Sequence, residues 1–294
     1  MGKVLVLGGT RYFGKRLVNR LLEQGVHEIT VATRGLNKVD FKGNVEHLIL
    51  DRKEEKALLE AARSRTWDIV FDNICYSPDE ALAATSAFDG YAGRYVMTST
   101  LSVYDFGKSP LLESDFNPYE YELKTGSAKD YSYGECKRLA EAAFFQRASF
   151  PVSAMRIPIV LGPDDYTRRL HFHVERVMKG IPIGIPNLAA EMSYITSEET
   201  ANFMHWLGES SITGPINASS NGMLSMRGLL DMIEATVSKK AIVVAESKEE
   251  DQSPFGVPVS WVMDTSAAKE AGYHFTALSE WMPELIKQIA ADQA

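Results

Sequence analysis

A doubly wound α/β fold, a parallel sheet between two layers of helices with a smaller α/β domain after it, is what this sequence predicts. Three observations carry the prediction. Short apolar runs alternate with helix-period segments through the first half of the 294 residues. A glycine-rich turn, Gly8–Gly14, joins the first such run to the first such helix. The second half is less regular, with glycine and proline at Gly162-Pro163, Gly180-Ile181-Pro182 and Gly184-Ile185-Pro186. Strands that alternate with helices pair in parallel, because a parallel neighbour is reached only through a crossover.

Lys3–Leu7 is an apolar run that stops at glycine, the pattern of a buried strand. Tyr12–Gln24 sets Phe13, Leu17, Val18, Leu21 and Leu22 at helical spacing and stops at Gly25. Strands are then expected at Glu28–Thr33 and Val45–Leu50, a helix at Lys53–Ser64 and a buried strand at Asp68–Phe71. A helix at Pro78–Phe88 and a strand at Arg94–Thr98 follow. Tyr131–Ser149 reads as a helix with Leu139, Ala140, Ala143 and Phe144 on one side, and Val152–Ile157 as the next strand. Helical patterns resume at Leu170–Met178, Ser197–Gly208 and Ser225–Val237, while Glu246–Pro254 reads as an acidic solvated loop. The expected organisation is residues 1–158 for the sheet domain and 159–294 for a smaller, partly interdigitated substrate domain.

Bulk properties narrow the class. With 45% hydrophobic residues the chain is long enough for a sizeable core without disulfide or metal staples. A net charge of -8 and a pI near 5.4 give no overall basic footprint for nucleic acid or anionic lipid. Cys75 and Cys136 lie far apart without CxxC spacing, which fits a reducing cytoplasm and argues against a zinc site. No signal peptide or membrane span is expected, and Val6 stands where a myristoylation signal needs Ser or Thr. The expectation is a cytoplasmic globular protein.

A glycine turn between a strand and a helix lets the backbone approach a pyrophosphate and leaves the helix N-terminal N–H groups to hold it. "GGTRYFG" offers Gly8, Gly9 and Gly14 for that purpose. Arg11 occupies the place of a middle glycine, where a guanidinium with negative φ faces phosphate oxygens. NAD-selective folds end the second strand on an acidic residue that takes the ribose 2′-OH. Here the segment is Ala32-Thr33-Arg34-Gly35-Leu36-Asn37-Lys38, with Arg34 in that position. Cations beside the ribose favour a 2′-phosphate, so the expected cofactor is NADP, with NAD as the alternative. A tight turn without ligand is the bland alternative.

The segment "YSYGECKRLAE" puts Tyr133 and Lys137 four apart, on one helical face about 6 Å apart at Cβ. Upstream, "TSTLSVY" sets Thr98, Ser99, Thr100 and Ser102 at a strand's carboxyl end. An ammonium beside a phenol favours the phenolate, and a nearby hydroxyl orients a substrate oxygen; together they move a proton at a carbonyl or carbinol.

These motifs, with Asp51 after the third strand and "RIPIVLGP" at Arg156–Pro163, resemble the short-chain dehydrogenase/reductase superfamily in its extended or atypical branch. The likeness is good over residues 1–163 and loose beyond. It implies a Rossmann-type sheet, an acid/base role for Tyr133, a ribose-binding and phenolate-favouring role for Lys137, and the catalytic hydroxyl at Thr100, four before Tyr104. By the same resemblance Gly8, Thr10, Arg11, Tyr12, Phe13 and Gly14 would cradle the dinucleotide, with Arg34 and Asn73 beside it. Asp51 would touch the adenine and Pro158 would line the nicotinamide pocket.

Two departures matter. Ile159 stands where nucleotide-sugar epimerases carry an asparagine, and Asp72-Asn73-Ile74-Cys75-Tyr76 replaces the usual small residues after the fourth strand. The "GGTR" turn, the "TRG" after the second strand and "GPDDYTRR" look most like an atypical group. That group contains isoflavone-reductase-like proteins and relatives of chloroplast RNA-binding proteins, some without the catalytic pair.

The expected function is NAD(P)-dependent oxidation–reduction, epimerisation or dehydration of a small carbonyl- or hydroxyl-bearing molecule. The alternative is a dinucleotide-sensing or RNA-associated protein that performs no turnover. His171-Phe172-His173 is not expected to bind metal, since helical residues two apart do not face each other. Asp164-Asp165 reads as a cap near Thr167, Arg168-Arg169 as a solvated helix start or an anion contact, and Asp105–Lys129 as a lid. The run Ala142-Ala143-Phe144-Phe145 suits either a homodimer contact or core packing.

Overall fold

The computed structural model describes residues 2–293 apart from Lys38 and Glu246. The chain begins β1 (Gly2–Leu7), α1 (Tyr12–Gln24), β2 (His27–Thr33), β3 (Val45–Ile49), α2 (Glu55–Arg63) and β4 (Ile69–Asp72). It continues α3 (Pro78–Ala87), β5 (Tyr95–Thr100), α4 (Tyr133–Arg147), β6 (Val152–Ile157), β7 (Ile159–Leu161) and α5 (Arg169–Lys179). Next come β8 (Ile183–Gly184), β9 (Glu191–Met192), β10 (Tyr194–Thr196), α6 (Ser197–Glu209), β11 (Gly214–Asn217) and β12 (Leu224–Ser225). The last elements are α7 (Met226–Val237), β13 (Val243–Val244), α8 (Ser266–Glu270) and α9 (Leu278–Ala291).

Among the described residues, seven strands form one sheet in the order β11-β6-β5-β4-β1-β2-β3. All its pairings are parallel, with Val6 beside both Val31 and Phe71 and Thr100 beside Ile157. This is the doubly wound arrangement the alternation predicts. The order turns back between β1 and β4, and ligands of such sheets bind at that switch point, beyond the strands' carboxyl ends.

The helices cover both faces. Leu5, Leu7 and Val70 point to the layer of α2, α3 and α4, where Leu58, Ala62, Ala81, Ala84, Ala140 and Phe144 bury them. On the other face α1 packs against α6, and α6 lies along β4, β5 and β6. Alternate residues of one strand thus serve two cores, which is why β1 reads as a continuous apolar run.

Helix boundaries follow from capping chemistry. The Ser77 and Ser132 side chains accept from Glu80 N and Glu135 N, each at 3.3 Å, so α3 starts at Pro78 and α4 at Tyr133. Tyr131, expected inside α4, instead sends its hydroxyl to Thr125 O at 2.8 Å. β5 runs through Ser99 and Thr100, two residues past the expected end, because both pair in register with Arg156 and Ile157.

Contacts divide the chain into two compact units. The first comprises Met1–Tyr104, Glu113–Ile157 and Ser197–Ala218, so that α6 and β11 complete the sheet after an excursion. Most of the expected lid belongs to this unit and is strapped down. Gln146 Nε2 donates to Pro118 O and Tyr121 O at 2.9 and 2.8 Å, and Gly126 N donates to Asp79 Oδ1 at 2.7 Å. Ala142, Ala143 and Phe144 are fully buried, and Phe145 packs on Tyr119 with ring centroids 5.0 Å apart. That run is core packing.

The second unit comprises Asp105–Leu112, Pro158–Thr196 and Ser219–Ala294. Its core joins Leu170, Val174 and Val177 of α5 with Leu229 and Ile233 of α7 and Met282 and Ile286 of α9. Asp165 Oδ1 accepts from Thr167 N at 2.9 Å, an Asx turn ahead of α5 rather than a cap on it, since Arg168 is the N-cap residue.

His173 is buried, with Nδ1 donating to Arg169 O at 2.8 Å and Nε2 accepting from Ser253 Oγ at 2.7 Å. Burial pushes its pKa down to about 4. The native state therefore leaves this imidazole neutral where the unfolded chain binds a proton, and stability falls as pH drops from about 6.5 towards 4. Thermal midpoints measured across that window should show the slope, and His173→Phe should flatten it. Among the described residues no group of three or more His, Cys, Asp or Glu side chains could hold a metal ion, and no helix is long and apolar enough to cross a membrane.

Candidate functional site

The glycine turn is closed down on itself. Gly8 has φ 84°, in the left-handed region, and a Cβ there would stand 2.6 Å from Ile74 Cγ2. A Cβ on Gly14 would stand 2.4 Å from Gly8 O, so the first turn of α1 lies directly on the loop. Arg11 takes the N-cap position at φ -136° and ψ 152°, extended backbone that any side chain accepts. Its Nη2 donates to Asn37 Oδ1 at 2.8 Å, which ties the turn to the loop that carries the exposed Arg34 after β2. Thr10 and Phe13 are half-buried, and Tyr12 is buried at φ 50°.

Asn73 latches this turn to the neighbouring strands. Its Nδ2 donates to Gly8 O at 3.2 Å and its Oδ1 accepts from Thr98 Oγ1 at 3.0 Å. Asp51, half-buried after β3, accepts from Lys53 N at 3.0 Å through Oδ1. Gly8, Gly14 and Asn73 are thus in contact, Arg11 reaches through Asn37 the loop on which Arg34 lies, and Pro158 opens the second unit.

The second group gathers where α4 meets the end of β5. A Cβ on Gly134 would stand 2.5 Å from Ser102 O, so the helix start presses on the turn that follows Thr100. Arg138 Nε donates to Val103 O at 2.7 Å and fixes the same turn from the next helical turn. Between them Lys137, buried at 1% exposure, donates from Nζ to Cys75 O at 2.6 Å and Thr98 O at 2.9 Å. Thr100 is buried, and its Oγ1 accepts from Ser102 N at 3.2 Å. Tyr133, one turn before Lys137, is 53% exposed. The three proposed catalytic side chains therefore lie on two elements locked together by backbone contacts, with the phenol open to solvent.

Two buried charge networks, which the motifs do not announce, support these elements. Arg52 lies beneath the β4 end, with Nη2 on Asp72 Oδ2 at 2.6 Å and Nη1 on Glu80 Oε2 at 3.2 Å. Burial works against its charge, and Asp72 opposite raises its pKa above the ordinary value. Those carboxylates hold the loop backbone: Ile74 N donates to Asp72 Oδ1 at 3.0 Å and Tyr76 N to Glu80 Oε2 at 2.7 Å. Cys75, inside this loop, is fully buried and its thiol is pushed up to about 12 by desolvation, so it acts as packing.

The other network centres on Arg156 in β6, which is fully buried and uses every donor. Nε and Nη2 meet the Glu141 carboxylate at 3.0 and 2.6 Å, Nη1 meets Tyr104 Oη and Glu113 O at 2.9 Å each, and Nη2 also reaches Phe116 O at 3.1 Å. Ser99 Oγ donates to Glu141 as well. Tyr104 Oη donates to Asn217 Oδ1 at 2.6 Å, and Asn217 N donates to Glu113 Oε1 at 2.8 Å. Tyr133, Lys137 and Glu141 fall on one stripe of α4 at i, i+4 and i+8, so the network anchors the helix that carries the phenol. A charged residue within the apolar run of β6 was the one available sequence signal for it.

No protein-family model matches the chain. Among curated proteins it is similar to the chloroplast stem-loop binding protein of 41 kDa b from Arabidopsis thaliana, 24% identical over 243 residues. That alignment spans 77% of this chain and 61% of the relative's length. Among solved structures, UDP-glucose 4-epimerase from Thermotoga maritima, determined with UDP-glucose, superposes with a TM-score of 0.76 at 15% identity, over 99% of this chain and all of that one. The Bordetella bronchiseptica enzyme WbmG in complex with NAD and UDP gives 0.74 at 18% identity, over 99% and 94%. UDP-glucuronic acid 4-epimerase from Bacillus cereus in complex with NAD gives 0.73 at 14%, over 99% and 96%. At these identities the likeness speaks for architecture. The chain has the fold of these three enzymes, a parallel seven-stranded sheet between two layers of helices.

Proposed function

We propose that this chain is a nicotinamide-dinucleotide-dependent oxidoreductase or epimerase/dehydratase acting on a small hydroxyl- or carbonyl-bearing molecule. The observation that carries the reading is the Lys137 ammonium, drawn across the ends of β4 and β5 by Cys75 O and Thr98 O, one helical turn from an exposed phenol. What supports a dinucleotide here is the glycine turn between β1 and the N-terminus of α1 at the sheet's switch point, where the helix start packs closely on the loop and helix N–H groups favour a pyrophosphate. Gly8–Gly14 would hold the pyrophosphate, Asp51 the adenine side, Lys137 the nicotinamide ribose and Pro158 the ring. Bound there, the cofactor supplies a hydride donor or acceptor.

Within that frame Tyr133 gives or takes the proton at the substrate oxygen, Thr100 Oγ1 orients that oxygen, and Lys137 holds the ribose beside them. The similar enzymes, two epimerases and WbmG, determined with NAD, UDP or UDP-glucose, support the cofactor class and make a nucleotide sugar one candidate substrate. Fluorescence titration with NADPH and NADH, beside dinucleotide oxidation over a panel of carbonyl compounds, tests the reading. Absence of dinucleotide binding up to ~1 mM, a free energy near -4 kcal/mol, removes it.

NADP is the preferred dinucleotide in this reading. The sequence has Arg34 rather than an acidic residue just after β2, and Arg11 is turned towards that loop by Asn37. NADPH should bind about tenfold or more tightly than NADH, roughly 1.4 kcal/mol. Equal constants, or a preference for NADH, withdraw the preference and leave the fold's usual NAD.

The chloroplast relative, named for binding a stem-loop, favours one second reading: an RNA-associated protein without turnover. The net charge of -8 weighs against it, because phosphate contacts need clustered lysine and arginine. RNA retention with a steep salt slope, together with no dinucleotide oxidation, would put this reading first.

A further inference from the structure

We propose that Arg52, through Glu80, aims the carbonyl that holds Lys137, and so is a positioning residue of the cofactor site; the inference rests on the ribose-binding role given to Lys137 above. Cys75 O and Tyr76 N belong to one peptide unit. That unit is planar and trans, so its carbonyl and its N–H point in opposite directions. The carbonyl accepts from Lys137 Nζ at 2.6 Å, and the N–H donates to Glu80 Oε2 at 2.7 Å. The same Glu80 oxygen accepts from Arg52 Nη1 at 3.2 Å. Guanidinium, carboxylate, peptide and lysine thus form one chain. A displaced carboxylate tilts the peptide plane and moves the oxygen in front of Nζ.

The other arm of the guanidinium is tied to the sheet. Arg52 Nη2 donates to Asp72 Oδ2 at 2.6 Å, where Tyr95 Oη donates as well at 2.7 Å, and Asp72 Oδ1 accepts from Ile74 N at 3.0 Å. Asp72 ends β4, in register with Leu7 of β1 and Met97 of β5. Arg52 therefore spans from the sheet to the first turn of α3, and its planar fork sets the spacing of the two carboxylates. Stability alone does not account for this cluster. Arg52, Asp72 and Glu80 are all buried, and Arg52 Nε, also buried, has no hydrogen-bond partner among the described residues. Buried ion pairs add little over apolar packing, and an unmet guanidinium N–H is a further cost. What the cluster supplies is a single orientation for the peptide that faces Lys137.

The test is calorimetric titration of the full chain with NADPH, NADH and ADP. The forms compared are wild type, Arg52→Lys, Glu80→Ala, Glu80→Gln, Lys137→Met and the Glu80→Ala/Lys137→Met double variant. Arg52→Lys keeps the charge but loses the fork, and Glu80→Ala leaves Arg52 paired with Asp72, so neither strands a lone carboxylate in the core. Each should bind NADPH and NADH about five- to tenfold more weakly than wild type. ADP, which has no nicotinamide ribose, should bind both within about twofold of wild type. Glu80→Gln, which keeps an oxygen for Tyr76 N, should recover most of the dinucleotide affinity. In the Lys137→Met background Glu80→Ala should bring no further loss, because the amine that the carbonyl aims is gone. Unchanged NADPH and NADH binding by either variant overturns the positioning role. So does an equal loss of ADP affinity, or a loss that persists without the lysine. If wild type binds no dinucleotide at all, the ribose-binding role itself falls, a result separate from bound dinucleotide with an inert Arg52 and Glu80.

Discussion

Tyr133→Phe should lower turnover by about 10²-fold or more while leaving the dinucleotide dissociation constant within about twofold of wild type. The phenol is 53% exposed and is the one member of the proposed trio not bound into the scaffold's hydrogen-bond framework as described, so removing its oxygen leaves α4 intact. Helix position depends instead on Ser132 at the N-cap, the close contact of Gly134 with Ser102 O and the Arg138 bond to Val103 O. The variant therefore separates chemistry from structure. Rates of NADPH oxidation with any active carbonyl compound, measured beside cofactor titrations, give both quantities. Unchanged turnover would transfer the proton-moving role away from Tyr133, and a parallel loss of cofactor affinity would mean the phenol serves binding.

Arg156→Leu is the largest expected stability effect, about 3–5 kcal/mol in urea unfolding. Both partners of the Arg156–Glu141 pair are fully buried, and the Glu141 carboxylate and Tyr104 Oη hold the guanidinium pKa above its ordinary value despite burial. Removing the cation strands a carboxylate in the core and leaves Glu113 O and Phe116 O without this donor. Adding Glu141→Leu should recover part of the loss, because no uncompensated charge then remains. A loss below about 1 kcal/mol in the single variant would show that water or a shifted side chain replaces the arginine. Buried pairs of this kind are costly to break even where they add little over an apolar core.

The parts of this molecule that were legible in the sequence are those whose chemistry is local. The glycine turn needs a strand before it and a helix after it, and Tyr133 with Lys137 needs only helical spacing; both are read within about a dozen residues. β6 has the bounds its sequence suggests, from Val152 after Pro151 to Ile157 before Pro158. The charge networks join residues distant in sequence, Arg52 with Asp72 and Glu80, Arg156 with Glu141 and Tyr104, so no local pattern contains them. β11 begins Gly214-Pro215, which reads as a turn, although an edge strand tolerates proline. Pro283 inside α9 likewise breaks the signature of a helix whose Met282, Leu285, Ile286 and Ile289 are buried. Strands as short as β8 and β13, two residues each, carry no periodicity at all.

The late return of β11 has a consequence for biosynthesis. The strand pairs with β6 through Gly214–Ser153 to Asn217–Arg156, yet residues 158–196 of the second unit are made in between. A ribosome adding roughly 5–20 residues per second needs several seconds to pass from Ile157 to Asn217. Throughout that interval the nascent sheet presents the bare amides of β6 as an edge, and Tyr104 and Glu113 wait for the asparagine that completes their bonds. A fragment that stops after β6 keeps the glycine turn and Tyr133 but retains that open edge permanently, which makes it a template for aggregation.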